Sequence, residues 1–507
     1  MAPLWFVMEL QDMKVHPILR VGMMSLMLLG ALQYASPAQA QSQEELLKLI
    51  QQQAGMIESL KSRLGRLEQA EQQTATKAAS AEQQAISAGR QVAQVEQKIA
   101  QVEESANSAS GTSDVVFSWA PGPTIKSKDG EFSAHIRGRL GFDYGSISDS
   151  KGVGSQDRNA TELRNARIGI EGIAYRDFKY KLEVDFVDSK VSIADAYVEY
   201  KGWNALNVRV GQSKEGVSLE ESTSGRFVSM MERGSFTDAF GYQRRLGLRL
   251  LAGGDDWIAN AGVFGSAAVS SNKDKEGHAV TARLAYFPKI GNAGRVHIGT
   301  SFMSRGFDND VDLGAHRYRQ RPFAHTSSIR YVDTGVLTGI KGDQIVGAEL
   351  AGIFGPFYAE AEWAWLKADV DEASTGLYNG QSGIALQGGY IGMGWFITGE
   401  SRGYKKGAFK RTKVNSSVFD GGFGAVALVA RVDYIDLVDK SADVLGGEQL
   451  SYAFGVNWHL SNHAIMKFNY VHSKVKDSFA SAFAQGIVDE DGANAINSFT
   501  ARMQFDW

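Results

Sequence analysis

The chain has 507 residues, 53 lysines and arginines against 57 aspartates and glutamates, and no cysteine. Without cysteine there is no disulfide scaffold, thiolate metal site or thiol nucleophile. A formal charge of −4 argues against a generic nucleic-acid binder, which would be basic, and no nucleic-acid partner is expected. The 56 glycines and 10% aromatics fit strands and turns better than a helical enzyme.

Residues 1–40 read as a secretory signal peptide. Lys14, His16 and Arg20 precede an apolar run from Val21 to Leu32, and Ala38-Gln39-Ala40 offers a small-x-small cleavage site. The run is too short for a membrane-spanning helix. Both Met1 and Met13 fit as the start, because the first 12 residues have no signal character.

Residues 41–105 read as a periplasmic α-helical coiled coil. Positions taken alternately four and three apart run from Leu46 through Ile50, Ile57, Leu60, Leu64 and Leu67 to Val92, Val95, Ile99 and Val102. Only Gln53, Glu71 and Thr74 interrupt this apolar seam. A strict 3.5-residue repeat keeps one stripe facing partner helices. At 1.5 Å per residue the rod would be about 90 Å long. The competing reading is a single amphipathic helix. Residues 106–130 read as a linker.

From 131 to 507 the period changes to two. Ala134, Ile136, Gly138, Leu140 and Phe142 alternate with His135, Arg137, Arg139, Gly141 and Asp143. Phe178, Tyr180, Leu182, Val184 and Phe186 alternate with Lys179, Lys181, Glu183 and Asp185. The chain ends with Phe499, Ala501, Met503, Phe505 and Trp507 against Thr500, Arg502, Gln504 and Asp506. Alternation sorts side chains onto the two faces of a sheet. Such segments in an exported chain predict an all-β transmembrane barrel with lipid outside and charge inside. About 17 strands can be counted, and even-numbered barrels favour 16. A secreted sandwich would alternate too, but it would not gather charge.

The charge is gathered. Arg317, Arg319, Arg321 and Arg330 stand in a stretch without an acid, and Arg402, Lys405, Lys406, Lys410, Arg411 and Lys413 stand against Glu400 alone. If those stretches are extended, Arg319 and Arg321 share a face, as do Lys405 and Lys413. Two readings fit: rings of cations that select anions inside a pore, or outer loops that meet lipopolysaccharide phosphates. Histidines are scattered. Only His459 and His463 stand four apart, too far on a strand to share a metal unless a turn at Ser461-Asn462 folds them together, and no metal, cofactor or catalytic group is expected.

Several motifs together resemble the phosphate-selective porins O and P. They are RNARIGIEG (Arg164–Gly172), YRDFKYKLE (Tyr175–Glu183), DAYVEY (Asp195–Tyr200), VGQSKE (Val210–Glu215), LEESTS (Leu219–Ser224), RRLG (Arg244–Gly247), TGESRGYK (Thr398–Lys405) and FGVNW (Phe454–Trp458). The resemblance spans about 130–507. It implies a 16-stranded, homotrimeric outer-membrane channel in which small anions pass an arginine ladder to a lysine-lined constriction. Arg139, Arg164, Arg319 and Arg321 match ladder positions, and Arg233 a basic position in the loop that folds into the pore. Lys179, Lys405 and Lys413 match lysines at or below the constriction, with Lys406 or Lys410 as alternatives to the last two. Asp195 matches an acid beside the site. Two positions depart from the pattern: Glu221 stands where phosphate-specific members carry a lysine, and Asn165 replaces a second arginine. These departures leave a weakly selective general porin as the alternative. Glu221 could also pair with Arg226 or Arg233. A different class of role is an envelope tether, the coiled coil reaching toward peptidoglycan.

Overall fold

The structure, a computed structural model, describes residues 114–507 apart from 120–121, 151–157, 266–275, 292–293, 308–316 and 481. The signal peptide and the coiled coil lie outside the described residues.

Sixteen strands form one closed antiparallel ring. They are β1 (Ser133–Asp149), β2 (Arg158–Ala174), β3 (Phe178–Asp185), β4 (Ser192–Tyr200), β5 (Asn207–Lys214) and β6 (Arg244–Gly253). The ring continues with β7 (Trp257–Phe264), β8 (His278–Tyr286), β9 (Gly294–Gly306), β10 (Ile340–Phe354) and β11 (Phe357–Val370). It ends with β12 (Gly383–Phe396), β13 (Ala425–Asp439), β14 (Val444–His459), β15 (Ala464–Ser478) and β16 (Asn494–Asp506). Each strand pairs with its neighbour in sequence, and β16 returns to β1, with Phe499 opposite Ser146 and Asp506 opposite Arg139. Closure leaves the ring no unpaired edge, which a hydrocarbon environment demands.

Val115–Ser118 and Thr124–Ser127 form an antiparallel pair that adds to the start of β1. The stretch read as a linker therefore contains paired strand. No helix among the described residues is long and apolar enough to cross a membrane, which says nothing of a β-barrel.

The barrel is apolar outside and charged inside. Val210, Leu284, Ile391 and Phe454 are each more than half exposed on its outer face. Arg283, Glu349, Arg431, Lys467 and Arg502 are buried on its inner face. At the rim carrying the barrel's two chain ends, aromatic pairs gather: Phe357 with Trp395, Phe423 with Trp458, and Phe505 with Trp507. Amphipathic rings of this kind settle where hydrocarbon meets headgroups. Turns at this rim are mostly tight. Phe354 pairs with Phe357 across Gly355-Pro356, and Gly355 takes φ 59°, which a two-residue hairpin requires of its first residue.

Three connections fold inward instead of lying over a rim. The first, 215–243 between β5 and β6, carries the short helices α1 (Leu219–Ser222) and α2 (Ser235–Ala239). Phe236 and Phe240 are fully buried, and Phe236 stacks on Tyr390 of β12. Gly388 makes room for it: a Cβ there would stand 3.1 Å from the Phe236 Cβ and 2.6 Å from Ile435 Cδ1. The glycine-rich run in β12 thus serves close packing, as glycine within a strand often does. The second inward connection, 317–339, pairs Arg319–Gln320 with Val332–Asp333. The third, 397–424, comes from the rim of the chain ends and holds the hairpin Gly403–Lys405 with Ala408–Lys410.

Candidate functional site

A backbone segment inside a barrel needs partners for every N–H and C=O. The wall supplies them to 215–243. Leu219 N and Glu220 N each donate to Glu362 at 2.7 Å. Met231 N donates to Asn469 Oδ1 at 2.7 Å, while Asn457 Nδ2 and Lys467 Nζ donate to the carbonyls of Ser229 and Val228. Charge pairs reinforce these bonds. Glu220 pairs with Arg431, and Arg502 bridges Asp143 at 2.6 Å and Glu232 at 3.1 Å. The third insert is fixed similarly: Arg402 pairs with Glu360 at 3.0 Å and lies 3.5 Å over the Phe409 ring. Phe409 N donates to Thr223 Oγ1 at 3.2 Å, so the first and third inserts touch.

Between these inserts and the β1–β8 wall runs a cavity of about 820 Å³. Twelve arginines and six lysines line it against seven aspartates and glutamates, a formal excess of eleven positive charges. The chain as a whole carries −4. The fold has therefore sorted cations inward.

Neighbouring strands build this lining in register. Glu183 stands opposite Asp195, and Lys181 pairs with both, at 3.5 Å to Glu183. Arg244 reaches Asp195 at 2.9 Å. Arg137 spans Glu171 at 2.7 Å and Glu183 at 3.0 Å. Arg209 pairs with Glu199 at 2.5 Å. Lys179, Lys406 and Lys410 line the same cavity and make no ion pair with a described residue. Arg139 stands directly opposite Arg167, an unfavourable like-charge register. Asp185 relieves Arg167 at 2.6 Å, whereas among the described residues Arg139 bonds only to Gln504, at 3.2 Å.

Of the residues singled out from sequence, Arg139, Arg164, Lys179, Asp195, Glu221, Arg233 and Arg321 line the cavity. Arg319, Lys405 and Lys413 do not; all three are exposed outside it. The assumption that their stretches are extended is corrected: each folds back as a short hairpin or irregular loop, so shared parity does not mean a shared face. Lys406 and Lys410 face the cavity in place of Lys405 and Lys413. Arg321 is held by Asp238, at 3.0 Å. Glu221 pairs with Arg233, while Arg226 turns to Asp506 at 3.4 Å.

Arg164 reaches the lumen through an irregularity. Asn165 pairs with Gly141 and Leu163 with Phe142, leaving Arg164 as the extra residue of a bulge. The bulge lets both Arg164 and Asn165 face inward. Arg226, Arg244, Arg249 and Arg283 also line the cavity. Arg244 and Arg249 lie on β6, whose motif was noted for resemblance alone, and Arg283 has the alternating neighbours of a strand. Inward parity was the available signal for Arg249 and Arg283; Arg244 has the parity of the outward Leu246 and Leu248 and reaches the cavity from the strand end. Arg226, on a loop, offered none.

A protein-family model described as "Phosphate-selective porin O and P" matches residues 135–507. An uncharacterised protein of Caulobacter vibrioides is 31% identical over 421 residues, covering 79% of each chain. Porin O of Pseudomonas aeruginosa is 26% identical over 442 residues, covering 79% of this chain and 95% of its own. Among solved structures, an anion-selective porin from Comamonas acidovorans aligns with TM-score 0.47 and 11% identity, over 74% of this chain and all of its own. The match of the family model to the whole ring of strands, with its inward loops and cationic lumen, makes the chain a member of the phosphate-selective porin O and P family.

Proposed function

We propose that this outer-membrane porin is a passive channel with anion preference, open to phosphate and other oxyanions. The observation that carries the reading is the excess of eleven positive charges around a lumen in a chain of net charge −4. In a water-filled passage with low-dielectric walls such an excess concentrates anions and repels cations. Arg139, Arg164 and Arg321 present donors that replace part of an anion's hydration, Lys179 with Lys406 and Lys410 adds mobile point charges, and Arg233 stands beside the path paired with Glu221. In this reading Arg319, Lys405 and Lys413 draw anions from outside the cavity, and Asp195 holds Lys181 and Arg244 in place. No chemical step is required: an ion exchanges water for guanidinium and ammonium donors and moves on.

A weakly selective porin is the second reading, and one observation favours it: many of the cations already have carboxylate partners. The protein is proposed to assemble as a homotrimer, with the 41–105 segment as a three-stranded coil reaching into the periplasm, toward peptidoglycan, and with lipopolysaccharide around the barrel.

Single-channel recording in a planar bilayer tests the reading. Under a KCl gradient a reversal potential near the chloride limit, with chloride current reduced by low concentrations of phosphate, is expected. A potential near zero without block would leave the general porin.

A further inference from the structure

Glu221 lies on α1, Lys214 at the end of β5 and Arg233 on the returning half of the same insert. The Glu221 carboxylate bridges the two cations. Its Oε1 stands 3.1 Å from Lys214 Nζ and its Oε2 3.0 Å from Arg233 Nε. One oxygen for each cation is the arrangement a free carboxylate or phosphate would adopt. Among the described residues neither cation pairs with another acid. The nearby Asp195 is engaged by Lys181 and Arg244.

The cations do not depend on Glu221 for their positions. Lys214 Nζ also donates to the carbonyls of Glu221 and Thr223, the latter at 3.2 Å. Arg233 donates through Nη2 to Thr223 O at 3.0 Å and through Nε to Glu220 O at 3.3 Å. Nor does the local turn need the carboxylate: Glu221 N is held by Ser218 Oγ at 3.1 Å. All three residues line the cavity, so the site is reached from the lumen. Burial favours the neutral carboxyl of Glu221, but the charges of Arg233 and Lys214 outweigh it and hold the group ionised, below its ordinary range.

We infer that Glu221 is a tethered anion: its carboxylate permanently fills a two-cation site that accepts a free oxyanion once the carboxylate is removed. The lumen then contains one site closed by its own chain, beside cations left open to permeating ions. The inference rests on the anion-channel reading and sharpens it, because filling this site lowers selectivity for oxyanions without closing the pore.

The test is single-channel recording of wild type, Glu221→Gln and Arg233→Gln in a KCl gradient, with inorganic phosphate as the probe. Glu221→Gln should move the reversal potential toward the chloride limit and lower the half-blocking phosphate concentration at least tenfold. Arg233→Gln leaves the carboxylate under-compensated and should move the potential the other way. An unchanged potential and phosphate block in Glu221→Gln would overturn the inference. If that variant yields no channels, a potential equal to wild type in Arg233→Gln overturns it instead. The wild-type potential alone judges the anion-channel reading. A wild type without anion preference whose Glu221→Gln variant still gains phosphate block would keep the site and discard that reading.

Discussion

The cations of this barrel fall into two groups that are treated in opposite ways. On the wall Arg283, Arg431 and Arg502 are buried, as is Arg402 on the third insert, and each meets a carboxylate: Glu349, Glu220, Asp143 with Glu232, and Glu360 respectively. Along the lumen, Lys179, Lys406 and Lys410 meet none among the described residues. An unpaired charge in a water-poor interior is costly, so the wall pairs its cations and uses them to pin the loops. In the lumen water solvates the head groups, and unpaired cations persist for mobile anions. Lys467 crosses the division, being buried with a carbonyl partner, Val228 O at 2.6 Å, and no ion pair among the described residues. Arg283 and Arg502 belong to both groups, being paired and buried yet also lining the cavity, so the division is one of pairing and not of place.

The largest expected effect comes from breaking the wall group. Arg431→Ala strands Glu220 as a buried anion and should cost about 3–5 kcal/mol of stability. A marked drop in the temperature at which folded barrel converts to unfolded chain on electrophoresis would register this, with noisier open-channel current as 215–243 loosens. An unaltered transition would dissolve the distinction between the two groups.

The next effect is on the lumen group. Lys179→Ala combined with Lys410→Ala removes two unpaired charges and should weaken phosphate block roughly tenfold, since each lost tenfold is about 1.4 kcal/mol. Thermal stability should stay within about 0.5 kcal/mol of wild type, as for substitutions away from packed features. Loss of folding without loss of block would reverse the assignment.

Acid should separate the groups more gently. Burial raises the Glu232 carboxyl, but Arg164, Arg502 and His325 outweigh it and hold the group down to about 2. A lowered value in the folded chain stabilises it above the ordinary 4.5 and is lost as pH falls toward 2. Current noise in wild type should therefore grow between pH 4.5 and 2 more than in Glu232→Gln, which has already lost the charge. Parallel pH profiles would remove Glu232 from the pinning group.

The smallest effect is expected at Lys405 and Lys413, exposed outside the cavity. Lys405→Ala and Lys413→Ala should alter conductance at low salt and little at high salt, where the screening length falls to about 3 Å at 1 M. A conductance change that survives high salt would place them on the permeation path.

Much of the architecture was legible because a strand converts parity into side. Arg137 and Arg139 of β1, and Lys179 and Lys181 of β3, alternate with residues that turn outward, and all four line the cavity. The same rule failed for Arg319 with Arg321 and for Lys405 with Lys413. Their segments are inserts with short hairpins, and a composition rich in Arg, Lys and Gly does not distinguish an insert from a strand. Arg164 and Asn165 illustrate a subtler limit: one extra residue in β2 turns two consecutive side chains to the same side. The partner of Glu221 could be narrowed to two arginines, but choosing Arg233 required the path of the loop.

Alternation of apolar and charged residues, read along the chain, determined the antiparallel barrel, its lipid face and its charged interior, because a strand's geometry assigns each residue a side locally. Tertiary structure alone decided which cations are cancelled. Pairing depends on strand register, on the bulge at Arg164 and on three inserted segments that bring residues distant in sequence, such as Glu220 and Arg431, within bonding distance.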